Sequence, residues 1–227
     1  MKTSLTIPFA IALGGIIVAG AVYFTMARQE PSTSSGSGNP ALVRPVSPTD
    51  HILGNPAAPV KIVEYADFDC TYCKTFDSTL HQIIANEGTS GKVAWVYREF
   101  PLQQVHPTAL QDAEAAECVA QTAGNAAFWQ FADALFANQP VSPTQFGALA
   151  SQAGVTGPAF ADCMANASTT VGARINADKQ NALDIGASGT PYSLILANGQ
   201  APVVMDGAYS YSAVKQLVDQ AIAATGQ

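Results

Sequence analysis

Two hydrophobic patterns divide the chain. The first is one uninterrupted run over residues 5–26, dominated by Ile, Ala, Val, Leu, Gly and Phe, with no charge between Lys2 and Arg28. About 20 apolar residues suffice for a helix to cross a bilayer, so residues 1–28 are expected to form an N-terminal transmembrane signal-anchor. The competing reading is a cleaved signal peptide, whose apolar region is usually nearer 7–15 residues; the small residues at 19–21 would suit its cleavage. An anchor would leave the remaining chain extracytoplasmic, in the periplasm or at the cell surface, and cleavage would leave it secreted.

The second pattern begins after residues 29–50, whose Ser, Gly and Pro give little to bury and predict a flexible linker. From residue 51 to 227 short β-branched runs and longer helical spacings alternate. Residues 60–66 predict a strand. Phe76, Leu80, Ile83 and Ile84 then recur at helical spacing, and residues 93–97 predict a second strand. A block at about 106–185 reads as several Ala-rich helices, interrupted at Gly124, Gln139-Pro140, Gly154 and Gly157-Pro158. Residues 192–196 and 203–205, separated by Asn198-Gly199, predict a hairpin. A helix over 212–224 ends the chain. The fold class expected is α/β: a mixed four-stranded sheet flanked by helices, with an inserted helical block.

Charge narrows the partners. The formal net charge is −7, and from His51 onward seven Lys/Arg stand against fifteen Asp/Glu. An acidic surface of this kind disfavours nucleic acid. The sequence contains no glycine-rich phosphate loop and no Gly-x-Ser-x-Gly, and no cofactor beyond its own cysteines is implied.

There are four cysteines. An even number in an exported protein favours disulfides over metal, and no metal site is expected. Cys70 and Cys73 stand three apart where a strand gives way to a helix. That spacing lets the pair form and open a disulfide with little backbone movement, while the helix start offers free N–H groups and the positive end of a dipole to a thiolate. These are the requirements of thiol–disulfide exchange, with Cys70 as the attacking sulfur and Cys73 as the resolving one. Cys118 and Cys163 both fall in the helical block and are expected to form a structural disulfide. A second redox relay is the alternative.

With these residues in view, the chain resembles the DsbA-like branch of the thioredoxin superfamily. The likeness rests on residues 63–73 (Val-Glu-Tyr-Ala-Asp-Phe-Asp-Cys-Thr-Tyr-Cys), on 97–102, on His106-Pro107, on Phe128-Trp129 and on Gly-Ala-Ser-Gly-Thr-Pro at 186–191. It extends over residues 52–222 and implies a thioredoxin-like fold. The resemblance implies a cis Thr190–Pro191 bond facing the cysteines. It also places Thr190, Pro191, Thr71 and Tyr72 where an extended substrate segment would lie. Glu64, six residues before Cys70, matches a buried acid that exchanges a proton with the resolving thiol. Read from the strand alone, Glu64 could equally lie on an exposed edge.

Two features run against a strong oxidase. Tyr72 stands where strongly oxidising relatives carry a His, and Asp67 and Asp69 put negative charge near Cys70. A less oxidising centre is therefore expected. His51, His81 and His106 are read as surface, packing or helix-start residues. The function expected is a monomeric, membrane-tethered thiol–disulfide oxidoreductase that forms or rearranges disulfides in exported proteins, with a membrane redox protein as a candidate recycling partner. The alternatives are a reductase dedicated to one client and a non-catalytic peptide-binding or assembly module.

Overall fold

A computed structural model describes residues 38–226; the expected anchor at 1–28 and the first part of the expected linker lie outside them. No helix among the described residues is long and apolar enough to cross a membrane.

The strands are β1 (His51–Gly54), β2 (Val60–Ala66), β3 (Val93–Glu99), β4 (Tyr192–Ala197) and β5 (Val203–Asp206). They form one sheet in the order β1-β3-β2-β4-β5. Only β2 and β3 run parallel, joined by the crossover helix α1 (Thr71–Glu87), and β4 and β5 form the expected hairpin. The sheet is mixed as expected, with one strand more than expected. β1 escaped the sequence reading because four residues ending in Gly54 show too little alternation; its place comes from antiparallel pairing to β3, Ile52 opposite Val96. Asn125 closes the outer side of this strand, accepting from the Ile52 N–H at 3.0 Å and donating to the Ile52 carbonyl at 2.8 Å.

The inserted block contains α2 (Ala109–Asn138), α3 (Phe146–Gln152), α4 (Ala159–Ala165), α5 (Ala167–Thr170) and α6 (Gly172–Asp184). Gly124 interrupts α2 with φ +81°, so one long helix bends there instead of stopping. After β5 comes α7 (Tyr211–Ala224), whose N-cap Ser210 accepts from the Ala213 N–H.

The sheet is covered on both faces, and for that reason β2 and β3 are buried along nearly their whole length. On one side Ile62, Trp95 and Tyr97 pack with Phe76 and Leu80 of α1, Phe128 and Trp129 of α2, and Val214 and Val218 of α7. On the other, Val63, Tyr65, Val96 and Leu194 pack with Ala182 and Ile185.

Residues 38–50, expected within the flexible linker, are instead laid against that second face. The Asn39 N–H reaches the Asp184 carbonyl at 2.9 Å, and Val43 and Val46 pack on the second core. Arg44 pairs with Asp178, and Arg98 holds Asp50 at 2.9 Å while donating to the Tyr65 hydroxyl at 2.8 Å. Composition could not foresee this because the attachment is made by Arg44, Asp50 and a few valines, each partnered far away in sequence.

Candidate active site

The site forms where β2 ends. Asp67 turns inward and organises the connection to α1. Its carboxylate accepts from the Asp69 N–H at 2.8 Å, the Leu102 N–H at 2.8 Å and His106 Nδ1 at 2.9 Å. The Cys70 N–H returns to the Asp67 carbonyl at 3.1 Å. Asp69 accepts from the Thr108 hydroxyl, and Gln139 Nε2 donates to the Phe68 carbonyl at 2.6 Å. Three segments distant in sequence thus fix one loop.

Cys70 is the N-cap of α1, with extended backbone angles, and Cys73 lies one turn inside. Both thiols are free, and both side chains are buried, Cys73 completely. The Thr190–Pro191 bond is cis, and the Thr190 carbonyl accepts from Cys70 Sγ at 3.4 Å. Tyr72 projects outward, 69% exposed. The structure therefore brings Cys70, Cys73 and Thr190 together, with Pro191 adjoining in sequence and Thr71 exposed on the first turn of α1.

Electrostatics separate the two sulfurs. The Cys70 pKa is lowered to about 5: the Cys73 thiol donates to it first of all, burial opposes, and the Thr190 side chain and the N–H groups of Cys73 and Tyr72 add to the lowering. The Thr190 hydroxyl has no other partner, which leaves it available to a thiolate. Cys73 is pushed the opposite way, well above the usual thiol range, by burial, by its hydrogen bond to Cys70 and by the nearby Glu64 charge. One sulfur is an anion near neutral pH and the other keeps its proton.

The negative charges beside Cys70 do not prevent this lowering. Asp67 spends its charge on His106 and on two backbone N–H groups, and the Cys73 thiol with the helix-start N–H groups does what a charged residue at Tyr72 would otherwise do. His106 gains in the same contact. Burial works against its cation, but the Asp67 hydrogen bond and charge outweigh it and raise the His106 pKa.

Glu64 is buried on the face of β2 turned toward α1 and α2, not on an exposed edge. Trp95 Nε1 donates to its Oε2 at 2.9 Å, while Oε1 has no partner. Burial, followed by the Asp77 charge, lifts its pKa well above the carboxylate range against the Trp95 hydrogen bond. Glu64 therefore holds its proton more tightly than a free carboxyl and is electrostatically linked to Cys73.

Asp67 and His106 are the site residues whose roles sequence reasoning missed. The available signal was His106-Pro107, but nothing in it indicates a partner 39 residues upstream. Away from the site, Cys118 on α2 and Cys163 on α4 are joined by a disulfide with Cα atoms 5.7 Å apart.

Comparison with known proteins agrees with this fold. A family model described as Thioredoxin matches residues 46–220. Among solved structures, Wolbachia pipientis alpha-DsbA1 superposes with a TM-score of 0.70 at 22% identity, covering 82% of this chain and 97% of that one. Oxidised BdbD from Bacillus subtilis gives 0.67 at 22% identity, with 76% and 92% covered. Pseudomonas aeruginosa DsbA2 gives 0.63 at 24% identity, with 78% and 96% covered. Curated relatives are of another kind. A Na(+)/H(+) antiporter NhaA 1 of Salinispora arenicola is 32% identical over 81% of this chain, and an NhaA 3 of Salinispora tropica 41% identical over 43%. The chain spans 26% and 14% of the length of those two antiporters.

Proposed function

We propose that this chain, which belongs to the thioredoxin family and has the fold of the DsbA-like thiol–disulfide oxidoreductases, forms or rearranges disulfides in exported proteins through Cys70 and Cys73. The observation that carries the proposal is the split between the two sulfurs, the Cys70 pKa lowered to about 5 and that of Cys73 raised, with the cis Thr190–Pro191 turn against the first.

In the oxidising direction a substrate thiolate attacks Cys70 Sγ of the Cys70–Cys73 disulfide. A substrate–Cys70 bond forms, and Cys73 leaves as a thiolate. Glu64, whose hold on a proton is strengthened by burial, supplies the proton that this buried sulfur needs. A second substrate thiolate then attacks the substrate sulfur of the mixed disulfide and expels Cys70, which is a good leaving group because its thiolate is stable. The substrate has lost two electrons and the enzyme has gained them; the protons of the substrate thiols pass to solvent, from which Glu64 recovers the one it gave. A redox partner in the membrane or its compartment would reoxidise the pair. In the reducing direction Cys70 attacks and Cys73 resolves once Glu64 has accepted its proton.

A low Cys70 pKa supports the oxidising or rearranging role over a dedicated reductase, because stabilising the thiolate stabilises the reduced enzyme. Thr190 and Pro191, with Thr71 and Tyr72, would receive an extended substrate segment. The apolar run at 5–26 supports a signal-anchor and an extracytoplasmic domain. Cys118–Cys163 would be structural: by loop-closure entropy, a bridge over 45 residues contributes about 4 kcal/mol.

The test is a redox titration of the Cys70–Cys73 pair, together with trapping of its state in cells. A mostly oxidised pair supports the proposal. A mostly reduced pair at a thioredoxin-like potential, about −270 mV, turns the assignment to a reductase.

A further inference from the structure

The exchange chemistry makes no use of a recess between α1 and α2. It has a volume of about 280 Å³ and is lined by Lys74, Asp77, Ser78, His81, Asp133 and Phe136, with Ala137 at its edge. Asp77 and His81 lie one turn apart on α1 and meet Asp133 of α2. His81 Nε2 stands 2.9 Å from Asp133 Oδ1 and 3.6 Å from Asp77 Oδ1. One ligating atom from each of the three residues lies within 4.8 Å of the other two. Two ligands at zinc-like bond lengths of about 2.0–2.2 Å on one tetrahedral ion are roughly 3.3 Å apart. The two separations from His81 bracket that value, and the two carboxylate oxygens lie within 4.8 Å of one another.

Asp77 adds a second, independent observation. Its side chain is mostly buried, 13% exposed, and it lines the recess. Its carboxylate nevertheless accepts no hydrogen bond among the described residues; the His81 imidazole stands 3.6 Å away. A carboxylate so enclosed normally has hydrogen-bond donors or a cation. The ring of His81 is held edge-on to Trp95, with centroids 5.2 Å apart and planes at 87°, which fixes where Nε2 points. Lys74 at the same recess is engaged by the Ala137 carbonyl at 3.3 Å.

We propose that Asp77, His81 and Asp133 form a divalent-cation site of the zinc class, tying the helix of Cys70 and Cys73 to the helical block. One imidazole and two carboxylates suit zinc and its first-row neighbours. Calcium and magnesium take about six or more oxygens, and this recess offers too few. The rival occupant is a proton: a His81 imidazolium between two carboxylates would hold the same atoms together with no metal. The sequence assigned no metal because the ligands lie 52 residues apart, on helices whose contact it does not encode locally.

The test uses the full-length chain, purified in detergent and oxidised at Cys70–Cys73 so that those sulfurs cannot compete. Cobalt(II) is titrated in and then displaced by zinc. One equivalent should bind with a weak visible d–d spectrum and no sulfur-to-metal charge-transfer band. Zinc should raise the unfolding temperature. His81→Gln and Asp133→Asn should each weaken uptake at least tenfold and cancel the thermal gain. Asp133 is half-exposed, so its variant keeps the test valid even if His81→Gln fails to fold. Absence of stoichiometric uptake, uptake unaffected by the substitutions, or a charge-transfer band showing sulfur ligation would each overturn the site.

Discussion

Two buried polar clusters lie on opposite sides of the central sheet, and they are built on opposite principles. Behind the sheet, Arg98 is completely buried yet satisfied by Asp50, Tyr65 and the Pro45 carbonyl, and Arg44 is paired with Asp178. In front of it, Glu64 leaves one oxygen without a partner, and Cys73 and the Tyr97 hydroxyl are likewise enclosed without an opposite charge. Burial raises the pKa of all three groups of the front cluster. Asp50 responds differently. Burial works to raise its pKa, but the hydrogen bond and charge of Arg98 prevail and lower it. Burial cost is the same physics in both places. Pairing turns it into a fixed clamp. Leaving it unpaired turns it into protons held ready for transfer.

The strongest way to break the reactive cluster is Cys70→Ser. It should abolish disulfide formation in a reduced client protein and leave the unfolding temperature nearly unchanged; full activity in that variant would end the enzymatic reading. Next in size is the separation of the two thiols. Iodoacetamide labelling of the reduced protein should rise through a midpoint at about 5 for Cys70, with Cys73 protected, whereas a single midpoint in the ordinary thiol range, near 8.5, would show that the sulfurs are alike. The paired cluster is broken by Arg98→Ala. Stranding Asp50 should cost about 3–5 kcal/mol by denaturant titration, while the labelling midpoint of Cys70 stays in place.

Glu64→Gln sharpens the contrast with the smallest effect. Turnover should fall roughly a hundredfold, as when a general acid is removed, and the pH profile should lose one ionisation. Its stability should also change with a definite sign. The folded chain holds the Glu64 proton more tightly than the unfolded one, so the wild type keeps this contribution in full below about pH 4 and loses it as pH rises toward the folded value. The Gln variant should be flatter over that range and more stable than wild type at pH 7. A variant less stable than wild type at pH 7 would assign Glu64 a structural part instead.

What the sequence revealed, and what it hid, follows contact distance. Cys70, Cys73 and the helix start lie within one turn, so spacing alone located them. The crossover from β2 to β3 and the hairpin of β4 and β5 were legible for the same reason: each depends on a local run and a local turn. The strap at 38–50 and strand β1 were not, because they are held by Asp178, Arg98 and the β3 ladder, far along the chain. The surroundings of Asp67 were hidden for the same reason. Asp67 reads as a nearby negative charge until His106 is found against it, 39 residues away. Family likeness supplied Glu64, whose burial a single strand pattern leaves open, and Trp95 then provides the partner.

Asn125 carries a consequence of another kind. Each free margin of a sheet is an invitation for an extended chain to pair with it. By bonding both the N–H and the carbonyl of Ile52 through one side-chain amide, Asn125 withdraws that invitation along β1. Extended chains are left to engage elsewhere, and at this margin the molecule is guarded against seeding its own aggregation.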